Sequence, residues 1–343
     1  MTDFVDRRVG IGGFIGWGEE SSFGSATSAS HYLQIAPGDE TFQLDQEFLE
    51  ASHTVERGVD TADVVKGMKA VSGTWSHDLR YGGGWGLLLE HLLFDESADA
   101  GAGPYTHTLS VGDYASGMAG KGLSFIVARD GLLVSGSDVA DRYYGCRPTA
   151  CTITCEDNAI ARAEWTLIGA GHDTLAIPTP SYPTDNFIKA PSDASSPTAG
   201  FKYGTDASED TYPCRRWSVT ISQGWDPVRV LQAPEMSEPT LAGRLEVTIS
   251  AEVLFQGTGA SGDAFTTNYR AGTPKSLILT LEGPTAASES LVLDFPNVRL
   301  TSPPDPHMTE TGAIYQSLEF KAYRSGATME GTMTLTNSDA TIG

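Results

Sequence analysis

The 343-residue chain is poor in basic residues, carries little cysteine and has no long apolar run. Its 22 Lys and Arg face 44 Asp and Glu, for a net charge of −22. A field of that sign repels phosphate, which argues against ordinary nucleic-acid binding but not against DNA passing close by without sticking. The four cysteines, Cys146, Cys151, Cys155 and Cys214, contain no close CxxC pair. Cys151, Ile153 and Cys155 alternate onto one face of an expected strand, which reads as buried free thiols in a reducing compartment rather than as a zinc site. No stretch approaches the roughly 20 apolar residues that span a bilayer. The start, with Asp3, Asp6, Arg7 and Arg8, lacks the apolar core of a signal peptide, so secretory export is not expected. Catalytic patterns are missing as well. The seven His are scattered, there is no GxSxG or HExxH, and adjacent His77 and Asp78 point to opposite faces of any strand. Gly10, Gly12, Gly13, Gly16 and Gly18 are neither preceded by an apolar strand nor followed by GK[ST], so they are expected in an extended N-terminal arm and not in a phosphate loop.

What is present is glycine (38), proline (18) and alternation, with 40% hydrophobic residues and a mean hydropathy of −0.19. This is the composition of a soluble, turn-rich β protein with length for about two domains. The clearest unit is Gly67 to Phe94. Val71, Gly73, Trp75, His77 and Leu79 take one face of a strand and Ser72, Thr74, Ser76 and Asp78 the other. A Gly82–Gly84 turn follows, and then Trp85, Leu88, Leu89 and Leu92 recur at helical spacing. Further strands are expected at 31–35, 42–50, 105–111, 123–129, 134–145, 149–155, 160–168 and 216–222. Loops are expected at 51–65, 96–103 and 112–122, and residues 172–213, punctuated by Pro178, Pro180, Pro183, Pro191 and Pro197, read as a linker.

The second half repeats the first. Gly67 to Val71 aligns with Gly243 to Val247, an offset of 176, and a helix of Ala264, Phe265 and Tyr269 between Asp263 and Gly272 takes the place of the first helix. Downstream, Ser124 to Gly131 aligns with Ser276 to Gly283 and Arg147 with Arg299, both at 152. Two steady offsets with one jump describe a tandem duplication in which the first copy carries extra residues between Gly84 and Gly122.

Gly18 to Thr27, Gly67 to Gly73, Tyr105 to Leu109 and Tyr144 to Cys146, then Trp217 to Ser222, Gly243 to Val247 and Thr332 to Ser338, resemble in order and spacing the tail tube proteins of long-tailed, non-contractile bacteriophages. The resemblance spans nearly the whole chain. It implies a mainly β fold of two tandem tail-tube-like β-sandwich or split-barrel domains, each with a short flanking helix. The corresponding boundaries are an arm and first strand at 1–39, domain 1 at 40–171, a linker at 172–213 and domain 2 at 214–343. It also implies trimeric, pseudo-hexameric rings stacked into a tube in the virion tail, made in the host cytoplasm. No cofactor is implied. The implied partners are other copies of the chain, a tape measure protein in the lumen, terminator and distal tail proteins at the ends, and double-stranded DNA in transit. Loops 51–65 and 96–122 and the N-terminal arm are the candidates for contacts between rings. An acidic lumen would let DNA pass, and the candidate lumen-facing carboxylates are Asp45, Glu47, Asp78, Glu164, Glu246, Glu252 and Glu319. The rival reading is a sugar-binding or adhesive β-sandwich, in which Trp17, Trp85 or Trp225 would stack on sugars. The stretch Glu252 to Gly257 matches a picornaviral 3C protease cleavage site, but it falls in an expected strand and is read as coincidence.

Overall fold

The computed structural model describes residues 13–36, 38–51, 63–98, 103–129, 139–190, 200–230, 233–255, 264–284, 288–304, 313–324 and 331–342. In chain order the first half runs β1 (Phe14–Glu20), β2 (His31–Gln34), β3 (Gln43–Ala51), β4 (Asp63–Asp78), α1 (Gly86–Leu93), β5 (Phe94–Ala98), β6 (Tyr105–Val111), the single turn α2 (Tyr114–Gly117), β7 (Gly122–Ala128), β8 (Val139–Glu156), β9 (Arg162–Gly169) and β10 (Gly171–Ala176). The second half runs β11 (Gly200–Thr205), β12 (Ser208–Tyr212), β13 (Cys214–Ser222), β14 (Trp225–Val228), β15 (Ser237–Leu241), β16 (Glu246–Leu254), α3 (Ala264–Ala271), β17 (Lys275–Glu282), β18 (Ser290–Leu300), β19 (Tyr315–Ala322) and β20 (Thr332–Asn337). The chain is thus mainly β, in large antiparallel sheets that do not close into a barrel among the described residues.

Pairing in the first half joins β1 to β2 and β7, β3 to β4, β4 to β9, and β8 to β7, β9 and β10. In the second half β11 joins β12 and β17, β13 joins β16, β16 joins β19, and β18 joins β17, β19 and β20. The halves meet along two antiparallel seams, β8 with β13 and β6 with β20. One hydrophobic cluster runs through both, from Trp75 and Trp165 through Cys151 and Ile153 to Val219, Ile249 and Phe320.

Local chemistry explains the elements. On β4 Val71, Trp75 and His77 are buried, as is Leu79 just beyond it, and Asp78 is exposed, which is the alternation read from the chain. Helix α1 buries Leu87, Leu88, Leu89, Leu92 and Leu93 against β5, β6 and β8 and stops where Phe94 turns left-handed at φ 75°. Gly272, at φ 61°, ends α3 in the same way with no Cβ to strain.

Several expectations are corrected. Within the expected arm, residues 14–20 form strand β1, with Phe14, Ile15 and Trp17 buried between β2 and β7, and residues 1–12 lie outside the described residues. The glycines of β1 make room for neighbours: a Cβ on Gly18 would lie 2.5 Å from the Ser28 carbonyl oxygen. The expected loop at 96–103 begins inside strand β5, where Asp95, Glu96 and Ser97 pair with Ser110, Leu109 and Thr108. Residues 63–65 belong to β4 and not to a loop, while 52–62 lie outside the described residues. The stretch 172–213 is not a plain linker, since it holds most of β10 and the β11–β12 hairpin, with irregular chain between them at 177–190. The separate strands expected at 134–145 and 149–155 are one strand, β8. Asp263, the expected cap of α3, lies outside the described residues.

Candidate channel surface

Seven strands, β3, β4, β9, β8, β13, β16 and β19, follow one another across the main sheet, each hydrogen-bonded to the next. Paired residues in an antiparallel ladder share a face, so the register assigns every side chain. One row reads Trp75, Trp165, Cys151, Ile221, Val247, and another His77, Ala163, Ile153, Val219, Ile249, Phe320. These rows are buried, with 0% exposure at Trp75, Trp165, Cys151 and Ile153. Between them lie rows of the opposite character: Ser76, Glu164, Thr152, Thr220, Thr248, Lys321, and Asp78, Arg162, Thr154, Ser218, Ser250, Glu319. One face of the sheet is therefore core, and the other is a continuous field of Ser, Thr and charge.

Asp78, Glu164, Glu246, Glu252 and Glu319 all lie on this polar face, as does Asp45, whose carboxylate accepts a hydrogen bond from Ser72 at 3.0 Å. Glu47 is exposed at the bulge of β3 between Gln46 and Phe48. The sheet thus brings together carboxylates that are far apart in sequence.

Single-strand parity did not reveal the cations among them. Lys321 Nζ reaches Glu246 at 2.7 Å and holds that carboxyl below its usual range. Arg216 pairs with Glu252 at 3.0 Å, and Arg162 bridges Asp39 at 3.0 Å and Asp78 at 3.6 Å. Among the described residues Asp45, Glu47, Glu164 and Glu319 form no such ion pair, and Glu156 adds another exposed acid beside Arg216, so the described face is acidic on balance. Cross-strand neighbours of this kind are set by register, which sequence spacing does not give.

None of these groups forms a catalytic constellation. His77 accepts a hydrogen bond from Trp165 Nε1 at 3.1 Å and stacks on Trp75, and burial pushes its pKa down to about 4, so it is a neutral core residue. Cys146, Cys151 and Cys155 are buried free thiols and Cys214 is half-buried. Trp17 and Trp85 are buried and unavailable to sugars. Trp225 is committed to the protein through a 3.0 Å hydrogen bond from Nε1 to the Pro148 carbonyl. In the protease-like stretch Val253 is buried within β16, and Gln256 and Gly257 lie outside the described residues. No helix among the described residues is long and apolar enough to cross a membrane.

Away from the sheet face, Glu90 on α1 shares a cleft of about 550 Å³ with Glu19, Glu96 and Lys121. Burial first, and then Glu19 and Glu96, push its carboxyl up to about 7. His91, wholly buried beside it, lies 3.4 Å from Glu19, and burial pushes its imidazole pKa down while Glu19 opposes the shift.

Residues 10–322 match the family model described as phage tail tube protein. The search of curated proteins finds no match.

Proposed function

The chain belongs to the phage tail tube protein family, and from that premise we propose that three copies form a pseudo-hexameric ring, that rings stack into the tail tube, and that the polar sheet face lines a channel for DNA. The observation that carries the reading is the β8–β13 seam. It joins the two halves edge to edge, and in the equivalent place at the far end of the sheet β3 pairs with β4 alone among the described residues. An open edge is an aggregation hazard unless something pairs with it, and ring closure removes it.

Tandem duplication is part of this proposal. Its support is the matched pairing of the two halves together with side-chain details that recur. Gln46 Nε2 donates to the Gly67 carbonyl at 2.9 Å, and Gln223 Nε2 donates to the Gly243 carbonyl at 3.2 Å. Thr149 donates its hydroxyl to the Thr166 carbonyl at 3.1 Å, and Thr301 donates to the Glu319 carbonyl at 3.2 Å. The members are displaced by 177 and 176 residues in the first pair and by 152 and 153 in the second, within one residue of the repeat's offsets. Two tube units per chain make three chains the number that fills a sixfold ring.

The candidate lumen carboxylates are Asp45, Glu47, Asp78, Glu164, Glu246, Glu252 and Glu319. A net negative wall repels the duplex only within about 8 Å at physiological salt, which keeps DNA centred without opposing its travel. The proposed partners are the tape measure protein inside the tube before DNA enters, and terminator and distal tail proteins at its ends. The proposed sites are the virion tail and, before assembly, the host cytoplasm. Cryo-electron microscopy of the purified protein, reconstructed without imposed symmetry, tests the reading. Three chains per ring with the Ser/Thr face inward is expected. Six chains per ring would overturn the trimer, and an outward polar face would overturn the lumen assignment.

A further inference from the structure

The two halves carry equivalent hairpins that end differently. Beyond Gln223 the second-half hairpin, β14–β15, folds back over the first half. Glu238 on it meets Arg147 at 2.9 Å, Glu235 accepts from the Tyr144 hydroxyl at 2.9 Å, and the Lys69 amide donates to the Pro234 carbonyl at 2.8 Å. Trp225, two residues after Gln223, is its anchor. The ring stands edge-on to Phe94 and Tyr114, with the Arg147 guanidinium carbon 5.2 Å from its centroid.

In the first half Phe48 follows Gln46 by the same two residues, and it is 59% exposed. Its ladder partner is Lys66, while Leu49 (52%) and its partner Val65 (54%) are exposed on the other face of the same open-edged hairpin. The seat has a counterpart as well. Arg147 pairs across its ladder with Ile168, and Arg299 pairs with Lys321, 153 residues on. Arg299 is exposed, with its guanidinium 5.6 Å from the ring of Tyr323, itself 39% exposed. Among the described residues, a single chain therefore holds a filled seat at Arg147, an exposed counterpart at Arg299 and an exposed aromatic at Phe48.

We propose that Phe48 of one copy docks on Arg299 and Tyr323 of a second copy, as Trp225 docks on Arg147 within the chain. The proposal rests on the ring reading above and adds its anchor. Continuity argues for this occupant. The strand leading into Trp225 is the one that pairs with β8 beside Arg147, so a β3 edge paired in the same way with a second copy's β18 end delivers Phe48 to Arg299. The chemistry suits the pair, since a guanidinium already stacked on one aromatic ring presents its other face to a second.

The test joins the two positions. Phe48→Cys/Arg299→Cys protein, assembled and treated with a short bis-maleimide, is expected to give a covalent ladder ending at three chains. Either single variant, which carries the same native thiols, should give none. Normal tubes by electron microscopy without a ladder would overturn the docking and leave the rings standing. A wild type that forms no ring would overturn both. Should the double variant fail to assemble, Phe48→Ala and Phe48→Trp decide. Alanine is expected to leave the monomer's melting transition unchanged and to raise the concentration needed for assembly at least about tenfold, and tryptophan is expected to restore it. Assembly of Phe48→Ala at the wild-type concentration would refute the proposal.

Discussion

Replacing Glu90 with Gln should change the pH dependence of stability in a direction fixed by its surroundings. Glu90 is half-buried on α1, and its carboxyl is pushed up to about 7, by burial first and then by Glu19, Glu96 and Asp95, with Lys121 opposing. Glu19 keeps repelling it across the whole range, because His91 first and Lys121 after it hold the Glu19 carboxyl down to about 2. A group whose folded pKa is raised binds a proton in the folded state that the unfolded chain has released. Stability is therefore lost as pH rises from the unfolded value near 4.5 through the folded value near 7. At about 1.4 kcal/mol per unit the full shift would be worth about 3 kcal/mol, and water reaching the half-buried carboxylate reduces this to about 1–2 kcal/mol. Glutamine keeps the shape without the charge. Glu90→Gln should match the wild type at pH 4.5 and exceed its stability by about 1–2 kcal/mol at pH 8. Urea denaturation of unassembled protein at four or five pH values measures the gap. A gap of the same size at pH 4.5 and pH 8, or a variant weaker than wild type at pH 8, would refute the electrostatic account.

Removing residues 2–18 should prevent folding rather than only assembly, because it takes away β1, and Trp17→Ala alone should cost about 3–5 kcal/mol in thermal or urea unfolding. Arg147→Met removes a buried cation that donates to the Met118 and Lys121 carbonyls and to Glu238, which takes the charge partner from Glu238 and a donor from the Lys121 carbonyl, while Tyr114, the Gly120 amide and the Lys121 amide go on donating to Glu238 and Met118. It should loosen the β14–β15 hairpin, read as faster proteolysis within 225–241 at unchanged far-UV circular dichroism. Lysine at Glu164, Glu246 and Glu319 together should leave tubes intact while slowing DNA ejection, more at low salt than at high, because each new phosphate contact steepens the salt dependence. Ejection at the wild-type rate from such tubes would count against the lumen assignment.

The strands that could be read from the sequence were those with one wet and one dry face. Trp75 and Asp78 announced β4, and Trp165 and Glu164 did the same for β9. β1 was hidden because Phe14, Ile15, Gly16 and Trp17 are all buried, so no alternation appears, and its glycines imitate a flexible arm. β5 was hidden for the opposite reason, since Asp95, Glu96 and Ser97 are polar and strand-like only through pairing with β6. On the candidate surface, parity within each strand placed Asp78, Glu164 and Glu319 on polar faces. That these faces merge into one, and that Arg162, Arg216 and Lys321 stand among the acids, depends on a register created by tertiary pairing. The Phe48 and Trp225 correspondence was present in the sequence but silent, because Gln46 and Gln223 acquire meaning only through the glycine carbonyls they reach.

On the ring reading, the joint inside the chain and the joint between chains differ in chemistry. β8 meets β13 with Ala150 to Glu156, a run in which every residue carries an amide hydrogen. The equivalent run after Thr301 begins Ser302, Pro303, Pro304, and the Pro304 carbonyl is held by the buried Gln316 side chain. Proline cannot donate to a ladder, so this edge offers fewer backbone hydrogen bonds to a second copy. It is also a poor template for the wrong strand, which is how natural sheets keep exposed edges from aggregating. An edge weakened in this way needs side chains to supply selectivity and affinity. The exposed Phe48 beside the open β3 edge and the exposed Arg299 beside the proline-bearing edge stand where that contribution is required.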